Sequence, residues 1–278
     1  MNPPLISVLI PTYNRVTTLE QCVRSAQAGG YDRIEIIISD NASTDGTQEL
    51  ARRLAAEDPR IVFLEHATNL GPLPNWRACL ERASGDYVHW LWSDDWIEPR
   101  FYEKMLSKLT DKKLCVAICA ARIIEPVNNI WYITCSMPNA GQGRDELLKI
   151  AFKGWQLPVS PAAALLPMES VRRHFTIEIP KVSGLDCNHR AIGCDAIMIM
   201  GAILDANSVV FFPEPLVNFR QSPASITCST NKRFLAAHYA WARISWGRSH
   251  CLPRRWMLFD FVRLAHDWRV AAVIRGLF

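Results

Sequence analysis

No stretch of this chain approaches the ~20 consecutive apolar residues needed to span a bilayer, and "AIMIMGAIL" (196–204) is far too short to try. The first residues carry no basic cluster ahead of an apolar segment, so "LISVLIPTYN" reads as a first strand rather than a secretory leader. The nine cysteines are odd in number and scattered without a CxxC pair, which excludes a disulfide framework and a zinc ribbon. They are expected to be reduced, mostly buried thiols of a cytoplasmic protein, with Cys115 and Cys119 in the core. There is no HExxH, so histidine-based zinc hydrolysis is out. The loop after the first apolar run, "PTYNRVTTL", lacks the GxGxxG of a dinucleotide oxidoreductase. It also lacks the Gly-rich basic loop of a sugar-nucleotide pyrophosphorylase.

With 278 residues, 49% hydrophobic and 21% charged, the chain is long enough to bury a full core. Its net charge of +4 hides an asymmetry. Residues 231–278 hold nine Arg and Lys against Asp260 and Asp267, whereas the preceding residues are slightly acidic. The basic segment is interleaved with Trp241, Trp246, Trp256, Phe259, Phe261 and Trp268. The spacing predicts a helix over 254–278, with Leu258, Phe261, Val262 and Ala265 toward one side. Such a helix either packs on the rest of the chain or lies at a membrane interface with its arginines reaching anionic lipid. No nucleic-acid recognition motif accompanies the charge, so a nucleic-acid partner is not expected.

Two periods alternate through the first 120 residues. Residues 5–11, 34–39, 61–65, 87–92 and 114–120 are short β-branched or aromatic runs and read as strands. Helical patterns lie between them near 17–28, 45–56, 73–83 and 99–109. Thr17 with Glu20 suits a capping box for the first helix, and Gly29-Gly30 suits its end. This alternation predicts βαβ units and a parallel sheet covered on both faces. From 121 to about 230 the many Pro and Gly predict mixed sheet, loops and a few helices.

Within "YVHWLWSDDWIEP" (87–99), the adjacent Asp94 and Asp95 interrupt an aromatic run. They admit three readings: a turn or helix cap, a general acid/base pair, or a seat for a divalent cation that also bridges substrate phosphates. With strand order 3-2-1-4, strands one and four flank the point where the order reverses, and ligands bind beyond their carboxyl ends. "PTYNR" and "SDDW" fall there, which favours the cation. Asp40, at the end of strand two, is placed to accept hydrogen bonds from a base or sugar. "STDGT" (43–47) reads as turn and N-cap chemistry.

In combination, "ISVLIPTYNR", "EIIISDNASTDGT", "NLG…N" and "ASGDYVHWLWSDDW" resemble the family 2 glycosyltransferases over residues 5 to about 110, and in particular bacterial enzymes that assemble surface polysaccharides. The resemblance implies a GT-A type, Rossmann-like mixed α/β sheet with helices on both faces, here with a C-terminal helical extension. It implies a catalytic domain over 1–230, its nucleotide-sugar-binding half at 1–120 and its acceptor-binding half at 121–230, followed by the basic helical tail 231–278. Also implied are a nucleotide-sugar donor, UDP-sugars first, a Mn²⁺ or Mg²⁺ ion, and a glycan or lipid-linked glycan acceptor, with the enzyme in the cytoplasm or at the inner face of the plasma membrane.

Carried onto these residues, the resemblance gives the nucleotide contacts to Pro11, Thr12, Tyr13, Arg15 and Asp40, with Asn69, Asn75, Arg77 and Arg220 as further donor contacts. Asp95 is the first metal ligand, and Asp94 shares the metal and the donor. Asp195, at the mouth of "CDAIMIM" and ahead of "PLVNFRQSPASIT", becomes the base that deprotonates the acceptor hydroxyl in one inverting displacement. Two positions depart from the family's pattern. Trp92 stands where relatives carry the leading Asp of "DSDD", and Trp76 where many carry Arg. These departures keep a second reading open, a non-catalytic relative that binds nucleotide sugar or carbohydrate.

Overall fold

The computed structural model describes residues 3–109, 114–125, 130–134, 143–153, 160–175, 178–181, 185–221 and 230–268. Strands β1 (Ile6–Thr12), β2 (Ile34–Asp40), β3 (Ile61–Glu65) and β4 (Tyr87–Trp90) alternate with helices α1 (Leu19–Gln27), α2 (Thr47–Glu57) and α3 (Pro72–Arg82). They form the parallel sheet that the sequence predicts, in the order β3-β2-β1-β4. Every residue of β1 is buried, as a parallel strand covered on both faces requires. Alternate residues feed opposite sides. Leu9, Ile37, Val88 and Trp90 enter one apolar cluster, while Ile6, Val8, Ile10, Ile36 and Ile38 enter the other. Gly85 is fixed by close approach at the start of β4, since a Cβ there would lie 2.6 Å from Ser7 Oγ and 2.8 Å from Leu5 O.

Beyond β4 the sheet becomes mixed. The chain runs through β5 (Trp96–Ile97), α4 (Phe101–Ser107), β6 (Cys115–Glu125), β7 (Ile130–Thr134), α5 (Arg144–Lys153), a 3-10 turn (Pro161–Ala163), β8 (Ala164–Pro167), α6 (Met168–His174), α7 (Cys187–Arg190), α8 (Cys194–Asp205) and β9 (Ser208–Arg220). The order continues β4-β8-β6-β9-β5, with β7 also on β6. β8 is antiparallel to β4 and β6, β9 is parallel to β6, and β5 is antiparallel to β9. The proline-rich "FFPEP" lies inside β9 rather than in a loop. Its register on β6 slips from Cys119–Phe212 to Ala120–Pro215 and then Ala121–Val217, so bulges absorb residues that cannot donate to the ladder.

Two helices follow, α9 (Lys232–Ser249) and α10 (Arg254–Trp268). The basic segment is not uniformly outward. Trp241, Trp246, Met257 and Leu264 are buried in the same cluster as Leu9 and Val88, and Trp256 and Phe261 pack against it. The apolar side expected on α10 is split. Leu258 and Val262 face outward, Phe261 faces the core, and the side chains of Ala265 and Trp268 lie outside the described residues, as does 269–278.

The Thr17–Glu20 capping box does not form. Thr18 occupies the N-cap position and gives no side-chain cap. Its hydroxyl donates instead to Ser93 O at 2.9 Å, and Glu20 pairs with Arg24 and Arg53. Seven cysteines are described, and all are buried except Cys251. Among the described residues, no helix is long and apolar enough to cross a membrane.

Candidate active site

The switch point between β1 and β4 gathers four of the expected residues into direct contact. After β4, Trp92 to Asp95 form a tight turn closed by Asp95 N donating to Trp92 O at 2.9 Å. The pair does not cap a helix, because Trp96–Ile97 extends as β5 and α4 begins later, after Arg100. Thr18 on Ser93 O and the Cys22 thiol on Trp92 O fasten the turn to the start of α1. The turn leaves Asp94 at the surface side and directs Asp95 inward, where it is 6% exposed.

Arg220, at the end of β9, closes this turn from a distant part of the chain. Its backbone N–H donates to Asp95 Oδ1 at 3.0 Å and its Nε to Asp94 O at 3.1 Å. Its guanidinium lies 4.8 Å from the centre of the Trp96 ring and also donates to Gln21. Arg15, from the loop after β1, stands 3.6 Å from Asp94 Oδ2. Burial and the neighbouring Asp94 charge push the Asp95 carboxyl well above the usual carboxylate range, with Arg220 and Arg15 opposing.

Pro11, Thr12 and Tyr13 close β1 beside β2, with Thr12 level with Asp40. Tyr13 is 44% exposed, while Thr12 is buried and its Oγ1 has no hydrogen-bond partner. Asp40 is fully buried, and its carboxylate is already occupied. It accepts from Ser43 N at 2.9 Å, from the Ser43 hydroxyl, and from Gln48 Nε2 at 3.0 Å. Asp40 therefore holds the loop after β2 in shape. That loop is stitched to the loop after β1: Asn14 N donates to Ser43 Oγ, Arg15 N to Thr47 Oγ1, and Val16 N to Asp45.

Asn69 Oδ1 accepts from Asn41 and from Gly71 N, an end-of-strand lock rather than a free contact. Asn75 is buried on α3 and tied on both sides to Ser39, accepting from its hydroxyl at 2.7 Å and donating to its carbonyl at 3.1 Å. Arg77 is exposed on the same helix. Trp76 and Trp92, the two departures from the family pattern, pack on each other with ring centres 4.7 Å apart and both lean on Trp90.

Asp195 contacts none of these residues. It opens α8 after Gly193, whose φ of +88° only glycine adopts readily and whose Cβ would fall 2.5 Å from Ala242 Cβ. That close approach of α9 brings Tyr239, which the sequence did not flag, to the base candidate. Its hydroxyl donates to Asp195 Oδ2 at 2.7 Å, and Oδ1 accepts from Ala196 N at 2.8 Å. Burial raises the Asp195 carboxyl to about 6, with these donors opposing. The histidines offer no rival. His89 is buried between the Tyr102 hydroxyl and Ala162 O, and burial lowers it to about 4, so it is neutral.

The family model of glycosyl transferase family 2 matches residues 7–171, more than half of the chain and all of the parallel sheet but its first residue. The chain belongs to that family. The sheet is of the GT-A type. It is similar to the Staphylococcus aureus TarS fragment 1–349 solved with UDP-GlcNAc, at a TM-score of 0.58 and 17% identity over 86% of this chain and 66% of that one. It is equally similar to the mannosyltransferase PcManGT of Pyrobaculum calidifontis, solved with GDP-Man and Mn²⁺, at a TM-score of 0.58 and 17% identity over 99% and 79%. In sequence, 114 residues are 37% identical to a Haemophilus influenzae protein described as an uncharacterized glycosyltransferase, covering 41% of this chain and 46% of that protein. A Campylobacter jejuni GalNAc(5)-diNAcBac-PP-undecaprenol beta-1,3-glucosyltransferase is 39% identical over 93 residues, 33% of this chain and 30% of that one. The chain spans less than half the length of these curated relatives.

A divalent cation fits the turn at Asp94 and Asp95. Both offer hard carboxylate oxygens, and among the described residues Asp95 Oδ2 takes no hydrogen bond. Among the described residues, no group of three or more His, Cys, Asp and Glu side chains that could hold a metal ion occurs.

Proposed function

We propose that this protein is an inverting glycosyltransferase that moves a sugar from a nucleotide-sugar donor, UDP-sugars first, to a hydroxyl of a glycan or lipid-linked glycan acceptor in surface-polysaccharide synthesis. The observation that carries this reading is the convergence of Asp94, Asp95, Arg15 and Arg220 at the carboxyl ends of β1 and β4 in a family 2 chain. Mn²⁺ or Mg²⁺ held by Asp95 and Asp94 would supply neutralisation of the charge developing on the departing diphosphate. The two guanidiniums beside the turn orient and attract the same diphosphate. Tyr13 offers an aromatic face to the base beside the buried Thr12 hydroxyl, and Asp40 keeps the loop under the nucleotide in one conformation.

Asp195 takes the acceptor's proton, and one displacement needs no enzyme nucleophile. The name of the Campylobacter relative, which specifies an undecaprenol-linked acceptor, supports a lipid-linked acceptor here. The basic residues of α10 support action at the inner face of the plasma membrane.

Transfer and donor hydrolysis are to be measured over a panel of UDP-, GDP-, dTDP- and CDP-sugars with added Mn²⁺. Asp95→Ala is expected to remove metal-dependent turnover while the melting curve without ligand stays cooperative. Asp94→Ala is expected to weaken donor binding. Full activity of Asp95→Ala at limiting Mn²⁺ would overturn the assignment, and donor binding without turnover on any acceptor would favour the non-catalytic reading.

A further inference from the structure

Six large hydrophobic side chains are exposed among the described residues. Three of them, Leu258, Phe259 and Val262, lie on α10 at 61%, 43% and 60% exposure. Val262 follows Leu258 by four positions and Phe259 by three, which brings the three onto one side of the helix. The face is bracketed by arginines at the same spacing. Arg254 precedes Leu258 by four positions, Arg255 precedes Phe259 by four, and Arg263 follows Phe259 by four with its guanidinium 5.4 Å from that ring. Lys149 of α5, paired with Glu146 at 3.1 Å, lies 5.8 Å from the Trp256 ring along a groove lined by Arg255, Leu258, Phe259 and Val262.

One of the two acids of this helix is hidden. Asp260 is fully buried and held by two hydrogen bonds from Arg243 of α9. Between Arg254 and Leu264 no other acidic residue occurs, so this stretch of α10 turns arginines and apolar groups outward; the helix's second acid, Asp267, has its side chain outside the described residues. Three like charges around an apolar strip call for an anionic counterpart rather than a neutral apolar groove. An apolar strip flanked by guanidiniums suits the boundary of an anionic bilayer, with aliphatic stems along the acyl region and charged heads at the phosphates.

We infer that the outward face of α10, through Leu258, Phe259 and Val262 with Arg254, Arg255 and Arg263, docks on an anionic lipid membrane. Only α10 lies on the bilayer; α9 does not, because its Trp241 and Trp246 are committed to the core. The contact is peripheral, one helical face deep and sensitive to salt. The use of this docking rests on the proposed lipid-linked acceptor, whereas its geometry does not. α9 joins the two sites physically, carrying Tyr239 to Asp195 and Arg243 to Asp260.

The full chain is to be sedimented with vesicles of phosphatidylcholine alone and of phosphatidylcholine mixed with phosphatidylglycerol, at low and high salt. Binding to the anionic vesicles only, lost at high salt, is expected. Arg254→Gln with Arg255→Gln should reduce partitioning about thirtyfold, from roughly fivefold per surface cation. Leu258→Ser with Val262→Ser should abolish binding at an unchanged melting temperature, because both side chains are exposed. Equal binding to both vesicle types, binding to neither, or self-association that the serine changes remove would overturn the inference. Transfer to a water-soluble acceptor separates the two claims. Loss of vesicle binding with transfer intact supports docking as a separate property. Vesicle binding by a protein that transfers to no acceptor leaves docking standing and sinks the proposed activity.

Discussion

Burial pushes the Asp195 carboxyl up to about 6, while Tyr239 and the backbone N–H groups at the start of α8 resist that shift. If Asp195 is the acceptor's base, turnover at saturating donor and metal should fall as pH drops through about 6. Tyr239→Phe removes a hydrogen bond that favours the anion. The acid limb should then move to higher pH by about one unit, with donor affinity unchanged. Asp195→Asn should lose about 10²–10⁴-fold in transfer and still bind donor and metal. A Tyr239→Phe profile superimposed on the parent's would remove Asp195 from the mechanism. At this scale the sequence was legible in part. Asp94, Asp95 and Arg220 were all nominated, and they meet. Asp40 and Asn75 also bind Ser43, Gln48 and Ser39, contacts that depend on loop geometry invisible to spacing. Tyr239 carried no signal, since its role exists only once α9 packs on Gly193.

Between elements, the α9–α10 junction is held by a buried ion pair. The Arg243 and Asp260 side chains are 5% and 0% exposed, and Arg243 Nε donates to Asp260 Oδ2 at 2.8 Å. Truncating Asp260 to Ala strands a guanidinium away from water and should cost about 3–5 kcal/mol in urea denaturation. Replacing the pair together, Arg243→Met with Asp260→Leu, should recover most of that loss, because the pair's desolvation cost disappears with it. If the double variant were as unstable as Asp260→Ala alone, the charge argument would be wrong. Strands β1 to β4 and helices α1 to α4 were readable because β-branched runs and 3.6-residue periods repeat cleanly. β5 was not readable. Two residues, Trp96 and Ile97, are a strand only because Asn218 and Val217 lie opposite, and the local sequence looks like the approach to a helix. The capping box failed for a similar reason: Ser93 O and the arginines at 24 and 53 claimed Thr18 and Glu20 first.

On the scale of the whole molecule, the parallel βαβ half could be read ahead because strand and helix periods alternate there, whereas the 3-2-1-4 order was a premise, since right-handed crossovers allow other orders too. The second half could not be read ahead, since a mixed sheet with proline inside a strand leaves no periodic trace. β9 binds the two halves together. It lies between β6 and β5, and its last residue completes the hydrogen bonding of Asp95 across 125 positions. That separation has a temporal consequence. Contacts so far apart in sequence form late, after the local βαβ units have collapsed. During synthesis the aspartate turn is made long before Arg220 leaves the ribosome, so the nascent chain holds an acidic turn without its lid. In refolding from urea, far-ultraviolet dichroism should recover first and nucleotide-sugar binding only with the slowest phase. Donor binding that returned with the earliest secondary structure would show that β9 is dispensable to the site.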